Sequence, residues 1–176
     1  MAEIIIAGFG GQGVLVLGQM ITYSGMIEDK AVSWFPSYGP EQRGGTCNCS
    51  VVIAEEEIGS PLVTAPTTAI VMNAPSFDRF EPTVAKGGLL IYNSSLIAKK
   101  SERDDIRVIA VPANEIADEL GNARVANMVL LGTLIEATNV IKAESVEQAL
   151  KNVLSERHHD LIPLNMQALE RGRAYQ

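Results

Sequence analysis

Short apolar runs recur along the chain, separated by glycine, proline and polar residues. The first run, residues 3–7, is rich in β-branched side chains and predicts a buried strand, and the apolar spacing after it predicts a helix from residue 14. Further strands are predicted at residues 30–35, 46–54, 68–73, 89–93 and 107–112, and helices at 75–86, 114–120, 125–137, 145–156 and 163–175. This alternation, with short connections, predicts an α/β fold, a single three-layer domain over residues 1–176 with a mostly parallel sheet.

Two of the predicted helices carry more specific expectations. Residues 125–137 are apolar nearly all round, with Glu136 as the only charge, so this helix is expected to be buried in the core or beneath another subunit. Ser145 and Gln148 have the spacing of a capping box and predict that a helix opens at Ser145.

A glycine-rich loop follows the first strand. Gly8, Gly10 and Gly13 have the spacing G-x-G-x-x-G, with Gly11 and Gln12 inside it. Glycine allows a ligand to approach the backbone closely, and the N-terminus of the next helix favours an anion. The segment predicts a Rossmann-like strand, loop and helix that bind a phosphate or carboxylate. Tight packing of strand on helix is the alternative explanation of the glycines.

The second predicted strand argues against a nicotinamide cofactor. Such a site normally has an Asp or Glu about 20 residues past the glycines, at the end of the second strand, to hold the ribose. Here that strand ends in Trp34, Phe35 and Pro36, whereas Glu28 and Asp29 lie before it. The loop is therefore interpreted as an anion cradle rather than an NAD site.

A second unusual segment spans residues 36–45, which contain three glycines and two prolines and exclude regular structure. Arg43 offers a planar guanidinium for an anion, and Gly44 and Gly45 admit a close neighbour. Tyr38 adds a hydroxyl group. This composition favours a functional loop over a passive connector.

The overall composition narrows the function classes. A net charge of −7, without a run of Lys or Arg, makes a nucleic-acid partner unlikely on electrostatic grounds. There is no signal-peptide pattern and no window of about 18 apolar residues, so we expect a cytoplasmic protein without membrane insertion. The two cysteines are expected to be reduced thiols.

Few residues have the chemistry of metal ligands. Cys47 and Cys49 are two apart and would share one face of a strand, where half-buried small side chains are the favoured explanation. His158 and His159 are far away in sequence, so no metal site is predicted. Asn73 and Asn93 end predicted strands, at the edge where α/β sheets bind ligands, although turn formation is the commoner role of such residues.

With both loops considered, the chain resembles the gamma subunits (the gamma/delta catalytic-domain family) of 2-oxoacid:ferredoxin or acceptor oxidoreductases. Residues 6–14, Ile-Ala-Gly-Phe-Gly-Gly-Gln-Gly-Val, resemble the family's G-x-G-G-Q-G loop. Residues 37–45, Ser-Tyr-Gly-Pro-Glu-Gln-Arg-Gly-Gly, resemble its S-Y-G-x-E-x-R-G-G loop. The spacing of the loops and the chain length also agree, so the resemblance covers nearly the whole chain.

The resemblance implies one part of an enzyme complex. In the family, a 2-oxoacid and CoA give an acyl-CoA, CO2 and electrons for ferredoxin or a similar acceptor. Thiamine diphosphate, Mg²⁺ and iron–sulfur clusters reside on partner alpha, beta and ferredoxin-like delta subunits, so this chain is expected to hold none of them alone. The resemblance implies CoA as the co-substrate and makes it the candidate ligand of the two loops, with a partner subunit as the alternative, and no catalytic residue is assigned.

The sequence of residues 34–41 and the Cys47-Asn48-Cys49 strand most resemble those of 2-oxoglutarate-type gamma subunits. Pyruvate, branched-chain and indolepyruvate types stay open, as do a stand-alone nucleotide-binding oxidoreductase and a non-enzymatic scaffold subunit. The expected binding residues share one hypothesis, an anionic pocket built from both loops. They are Gly8, Gly10, Gly11, Gln12, Gly13, Tyr38, Arg43, Gly44 and Gly45.

Overall fold

The structure, a computed structural model, describes residues 1–37 and 46–176. Within them, strands and helices alternate for most of the chain, which confirms the α/β class. The strands are β1 (Ala2–Phe9), β2 (Ala31–Ser37), β3 (Thr46–Ala54), β4 (Thr68–Val71), β5 (Leu89–Asn93) and β6 (Arg107–Val111). The helices are α1 (Val14–Ile27), α2 (Ala74–Phe80), α3 (Ala113–Glu119), α4 (Ala126–Thr138), α5 (Ala143–Val153) and α6 (Ile162–Arg173). Short 3₁₀ turns occupy Glu81–Thr83, Ala123–Val125 and Glu156–Leu161.

The six strands form one sheet in the order β2-β3-β1-β4-β5-β6. Neighbouring pairs among β1, β4, β5 and β6 are parallel, whereas β3 runs antiparallel to both β1 and β2. The prediction of a mostly parallel sheet is confirmed, with β3 as the exception. Its direction has a simple cause: residues 38–45 are too few for the crossover of a dozen or more residues that a parallel pair needs.

The two faces of the sheet are covered unequally. Ile4 and Ile6 of β1 point to a large core shared with α1, α3, α4, α5 and α6. The alternate residues, Ile5 and Ala7, point to a smaller core closed by Phe77 and neighbouring residues of α2. This alternation is the period-two pattern of a strand buried on both faces. The prediction of three layers therefore holds, with most of the helices in one of them.

Helix α4 is buried by this chain itself. It lies between β5 and α6, so the core alternative of the sequence prediction is confirmed. The contact with α6 is close at two glycines: a Cβ on Gly132 would overlap the carbonyl of Leu169, and one on Gly172 would overlap the carbonyl of Val129. Thr133 Oγ1 also donates to the Gly172 carbonyl, at 2.8 Å. Nearly every face of α4 is therefore apolar because nearly every face is covered.

Two predicted helix boundaries are wrong. The helix expected to open at Ser145 begins at Ala143, and the side chain of Ser145 is buried in its first turn. A tertiary contact, the carboxylate of Glu28 accepting the Lys142 N–H at 2.6 Å, supplies the acceptor there instead of a capping box. The helix expected to run to residue 86 ends at Phe80, and a 3₁₀ turn containing Pro82 follows because proline has no N–H to continue the helix.

Candidate functional site at the carboxyl ends of the strands

The first glycine loop leaves donors at the N-terminus of α1. Gly13 precedes the helix with φ 77°, and the first intrahelical bond runs from Leu17 N to Gly13 O, at 2.9 Å. Within the residues that the structure describes, the N–H groups of Val14, Leu15 and Val16 have no protein acceptor. The positive end of the α1 dipole lies at the same place. The loop thus leaves N–H donors available at the start of α1, and its role as an anion cradle stays a prediction.

Gln12 has a different position from the one expected of a ligand-binding side chain. Its Oε1 accepts the Phe9 N–H at 2.6 Å, and its Nε2 donates to the Met72 carbonyl at 3.2 Å. Gly8 makes room for this arrangement, since a Cβ there would lie 2.6 Å from Gln12 Oε1. The side chain of Gln12 therefore ties the loop to the end of β4 and keeps one N–H for other partners.

The remaining glycines of the loop differ in what they require. Gly11 has φ 97° and open space around its Cα, whereas a Cβ on Gly13 would lie 2.5 Å from Asn127 Nδ2. Gly10 is exposed in the turn that closes the loop. Gly13 is therefore needed both for its left-handed conformation and for the close approach of Asn127.

A cleft of about 220 Å³ opens beside this loop. It lies at the carboxyl ends of β1, β4 and β5, the edge at which open α/β sheets bind ligands. One part of its lining is polar and the other apolar. The polar residues are Gln12, Asn93, Asn114, Arg124 and Asn127, and Gly11, Met72, Ala123, Ala126 and Leu130 complete the lining.

The strand-ending asparagines act as turn formers. Asn73 Oδ1 accepts the Ser76 N–H at 2.8 Å and so caps α2. Asn93 Oδ1 accepts the Ala113 N–H at 3.2 Å, and its Nδ2 donates to Asn114 Oδ1 at 2.7 Å. Because the Asn114 oxygen accepts this bond, Asn114 has its amide nitrogen available as a donor toward the cleft. Asn93 thus combines the expected turn role with a place at the ligand edge.

The second predicted loop falls outside the described residues. Its predicted site residues are Tyr38, Arg43, Gly44 and Gly45. The strands on either side of it are described, and they place its two ends: β2 runs in the same direction as β1, and Thr46 at the start of β3 pairs with Phe9. Both loops therefore leave the sheet at the same edge.

Three cleft residues were not predicted from the sequence. Asn114, Arg124 and Asn127 lie far along the chain from the glycine loop and belong to no motif that was recognised. A weak signal existed for Asn127, a polar residue in the first turn of an otherwise apolar helix. Asn127 is 6% exposed, and its Nδ2 lies 3.5 Å from the Gly13 carbonyl.

Glu28, the acidic residue that precedes β2, forms its contacts at the amino-terminal end of the sheet, opposite the cleft. The Glu28 carboxylate pairs with Lys30 Nζ at 3.0 Å, and Lys30 in turn donates to the Val140 carbonyl at 2.8 Å. Burial acts to raise the pKa of Glu28, but the Lys142 N–H and the Lys30 ammonium outweigh it, so that this pKa lies below its usual value. Glu28 is thus engaged in structure, at the end of the sheet opposite the cleft.

The cysteines are confirmed as strand side chains of one face, both directed to the larger core. Burial raises the pKa of the Cys49 thiol to about 12 and also raises that of Cys47, so both are protonated thiols near neutral pH. In the described part of the chain, no three His, Cys, Asp or Glu side chains gather as a metal site would require. Nor does any helix there have the length and apolar character needed to cross a membrane.

Fold and cleft together define an α/β domain with a largely polar cleft at the carboxyl ends of its strands, and the comparison with known families is specific. Residues 3–175 match the family described as pyruvate ferredoxin/flavodoxin oxidoreductase. The chain belongs to this family.

The known proteins that resemble the chain differ in how much of their own length it spans. It is 41% identical to the ketoisovalerate oxidoreductase subunit VorA of Methanothermobacter marburgensis over 95% of its own length, but it spans only 35% of that relative. It is 36% identical to the 2-oxoglutarate synthase subunit KorC of the same organism, over 85% of this chain and 84% of the relative. The crystal structure of a keto/oxoacid ferredoxin oxidoreductase gamma subunit from Geobacter sulfurreducens superposes with a TM-score of 0.82 at 27% identity, covering 98% of this chain and 96% of that one.

Proposed function

We propose that this chain is a gamma-type subunit of a multi-subunit 2-oxoacid:ferredoxin oxidoreductase. Such a complex converts a 2-oxoacid and CoA into an acyl-CoA and CO2, and passes two electrons to ferredoxin or a similar acceptor. The observation that carries the proposal is the family match over residues 3–175, together with similarity to KorC over most of both chains. The chain is expected to be inactive without its alpha, beta and ferredoxin-like delta partners.

The cofactors of the reaction are assigned to those partners. An iron–sulfur cluster needs four thiolates, and this chain has two cysteines, both protonated and directed to the core. No step of the reaction is therefore assigned to a cluster, thiamine diphosphate or Mg²⁺ on this chain. Its own residues would bind and orient a co-substrate.

The co-substrate proposed for this chain is CoA, held by an anionic segment at the carboxyl edge of the sheet. The backbone of Gly10, Gly11 and Gly13 would approach the ligand, and Arg43 of the second loop would provide a bidentate contact. Two observations support this placement. Both loops leave the same sheet edge, and the first turn of α1 directs N–H groups toward it.

For the oxoacid, 2-oxoglutarate is proposed first, because KorC matches this chain over most of both lengths. A branched-chain oxoacid is the second candidate, and the 41% identity to VorA favours it. The test is a pull-down of the tagged chain from its native anaerobic extract, followed by dye-reduction assays with each oxoacid and CoA. Thiamine- and cluster-bearing partners are expected, with 2-oxoglutarate as the best substrate. A chain recovered alone with a bound nucleotide would contradict the subunit role.

The role of the second loop is tested separately, with Arg43→Ala. If Arg43 binds CoA, the variant complex stays assembled and its KM for CoA rises. If the loop serves only as an assembly surface, the same change dissociates the complex. An unchanged KM in an intact complex would exclude Arg43 from CoA binding.

A further inference from the structure

We infer that the outward side of helix α1 is the surface through which two copies of this chain associate about a two-fold axis. This surface, the α1 face, consists of Leu15, Val16, Gln19, Tyr23 and Met26. None of these residues lines the cleft beside the glycine loop. The inference concerns the chain alone and does not rest on the proposed function.

Helix α1 exposes a continuous apolar strip. Val16, Tyr23 and Met26 are 37%, 39% and 54% exposed, and they are three of the eight large hydrophobic residues exposed in the described part of the chain. Their spacing places them on one side of the helix. Single exposed hydrophobic residues are normal on a protein surface, whereas a group of them on one side of a helix favours a protein contact.

Glycines seat α1 directly on the edge strand of the sheet. A Cβ on Gly18 would lie 2.7 Å from Trp34 Nε1, and one on Gly25 would lie 2.7 Å from a methyl carbon of Val32. Strand β2 pairs with β3 on one side and, among the described residues, with no strand on the other. Helix α5 packs against another side of α1. The α1 face therefore lies open beside the free edge of the sheet.

Charge identifies the partner as a second copy. Among the six helices of the described residues, α1 alone has no charged side chain, and the neighbouring strand β2 has none either. The chain carries a net charge of −7, so two copies repel each other unless they meet through a face without charge. A face that bound a basic partner would carry acidic residues instead.

The polar groups of the α1 face are complementary across a two-fold axis. The Thr22 hydroxyl donates to the Gly18 carbonyl at 2.8 Å, whereas the side chains of Gln19 and Tyr23 form no hydrogen bond with the described residues. In a two-fold contact between antiparallel helices, a residue just before the helix centre meets one just after it. Gln19 of one copy then meets Tyr23 of the other, and both side chains can donate and accept.

The length of α1 limits the strength of the contact. Its 14 residues span about 21 Å at the rise of an α-helix. One helix side of this length covers less than the area of about 800 Å² per partner that a standard stable interface buries. We therefore expect a weak dimer, with a dissociation constant in the micromolar range.

Analytical ultracentrifugation of the full chain at increasing concentration tests the contact, and the parent chain should shift from monomer to dimer. Tyr23→Glu places a carboxylate on each copy near the axis and should weaken the dimer by about tenfold or more. Met26→Glu, at a residue that is 54% exposed, is a second variant with the same expected direction. Leu96→Glu is the matched control, because Leu96 is a 48% exposed residue that follows β5, and it should change the dissociation constant less than about twofold.

A mixture of Tyr23→Glu and Tyr23→Lys tests the two-fold arrangement. Each variant alone should be mainly monomeric, whereas the mixture should form a dimer at low ionic strength, because opposite charges then meet near the axis. A mixture as monomeric as its components would contradict this arrangement. Equal weakening by Tyr23→Glu and Leu96→Glu, or a parent chain that stays monomeric up to about 1 mM, would overturn the dimer.

A pull-down with the tagged variants distinguishes a second copy from a different subunit. If a different subunit covers the α1 face, Tyr23→Glu loses that subunit and Leu96→Glu retains it, while the parent chain by itself is monomeric. That result would overturn the inference. A concentration-dependent dimer of the purified parent chain that is lost in Tyr23→Glu and Met26→Glu would support it, whatever reaction the complex catalyses.

Discussion

The two ends of the strands differ in how far the protein satisfies its own polar groups. At the amino-terminal end of β1, a groove of about 480 Å³ is more than twice the size of the cleft at the carboxyl end. Several of its polar groups bond within the chain: Lys30 contacts Glu28 and Val140, and Thr67 Oγ1 bonds both N–H and C=O of Glu3. The exposed side chains of Glu55 and Arg107 have no partner there among the described residues. The smaller cleft instead contains donors without a protein acceptor among the described residues.

The difference teaches that the volume of a groove does not show whether its polar groups are already engaged within the chain. A polar group that has a protein partner gains little from a ligand, whereas a buried group without one is costly until something binds it. Glu28 and Lys30 are therefore structural, whereas Arg124 at the cleft has no ion-pair partner among the described residues. Each of the following changes tests that division.

The largest loss of stability is expected for Gly13→Ala. Alanine at φ 77° is strained, and its Cβ would lie 2.5 Å from Asn127 Nδ2, so the free energy of unfolding should fall by about 2–4 kcal/mol. Chemical denaturation measures the loss. Gly11→Ala is the matched control, because it has the same sign of φ and no neighbour within 4 Å, and should cost about 1 kcal/mol. Equal losses would mean that Asn127 does not pack against Gly13.

A smaller loss is expected for Glu28→Ala at the amino-terminal end. The change leaves the Lys142 N–H and the Lys30 ammonium without their carboxylate acceptor, which should cost about 1–3 kcal/mol. The same denaturation assay applies. Glu55→Ala removes an exposed acid at the same groove and should stay within about 0.5 kcal/mol. A loss in Glu28→Ala no larger than that in Glu55→Ala would contradict the structural role of Glu28.

Acid should remove part of the Glu28 contribution. Its pKa in the folded chain lies below the ordinary value of 4.5, so the stability that ionised Glu28 provides is fully present above that value and is lost as the pH falls through the folded pKa. The stability difference between the parent chain and Glu28→Gln should therefore be constant from neutral pH to mildly acidic pH and shrink below it. Denaturation curves across this range check the sign, and a difference that grows in acid would contradict it.

The smallest change in stability is expected for Arg124→Gln. Because the side chain is exposed and has no ion-pair partner among the described residues, the free energy of unfolding should change by less than about 0.5 kcal/mol. Thermal and chemical denaturation without ligand measure it. A substantial loss would show that Arg124 stabilises the fold and would move it to the structural side of the comparison.

Much of the fold followed from local patterns. The runs of β-branched residues gave the strands, and glycine spacing gave the loop before α1, because both depend on contacts between near neighbours in sequence. Helix boundaries were predicted less accurately where a contact with a distant residue sets them. Helix α5 begins before Ser145 because Glu28 reaches the Lys142 N–H.

The candidate site also has one part that the sequence predicts and another that depends on contacts between distant residues. The sequence placed Gly8, Gly10, Gly11 and Gly13 in a loop after the first strand, and it placed the second loop after the next strand along the chain. The inward orientation of Gln12 could not be predicted, since its partner Met72 is 60 residues away.

Only the tertiary structure decided which distant residues meet at each end of the sheet. Asn127 meets Gly13, and Lys142 meets Glu28, each across a separation of 114 residues. A periodic pattern records which face of a helix or strand is buried, but not which distant residue lies against it. The sequence by itself therefore determined most of the elements and the position of the glycine loop, and packing of the helices on the sheet decided that Arg124 and Asn127 line the cleft beside that loop.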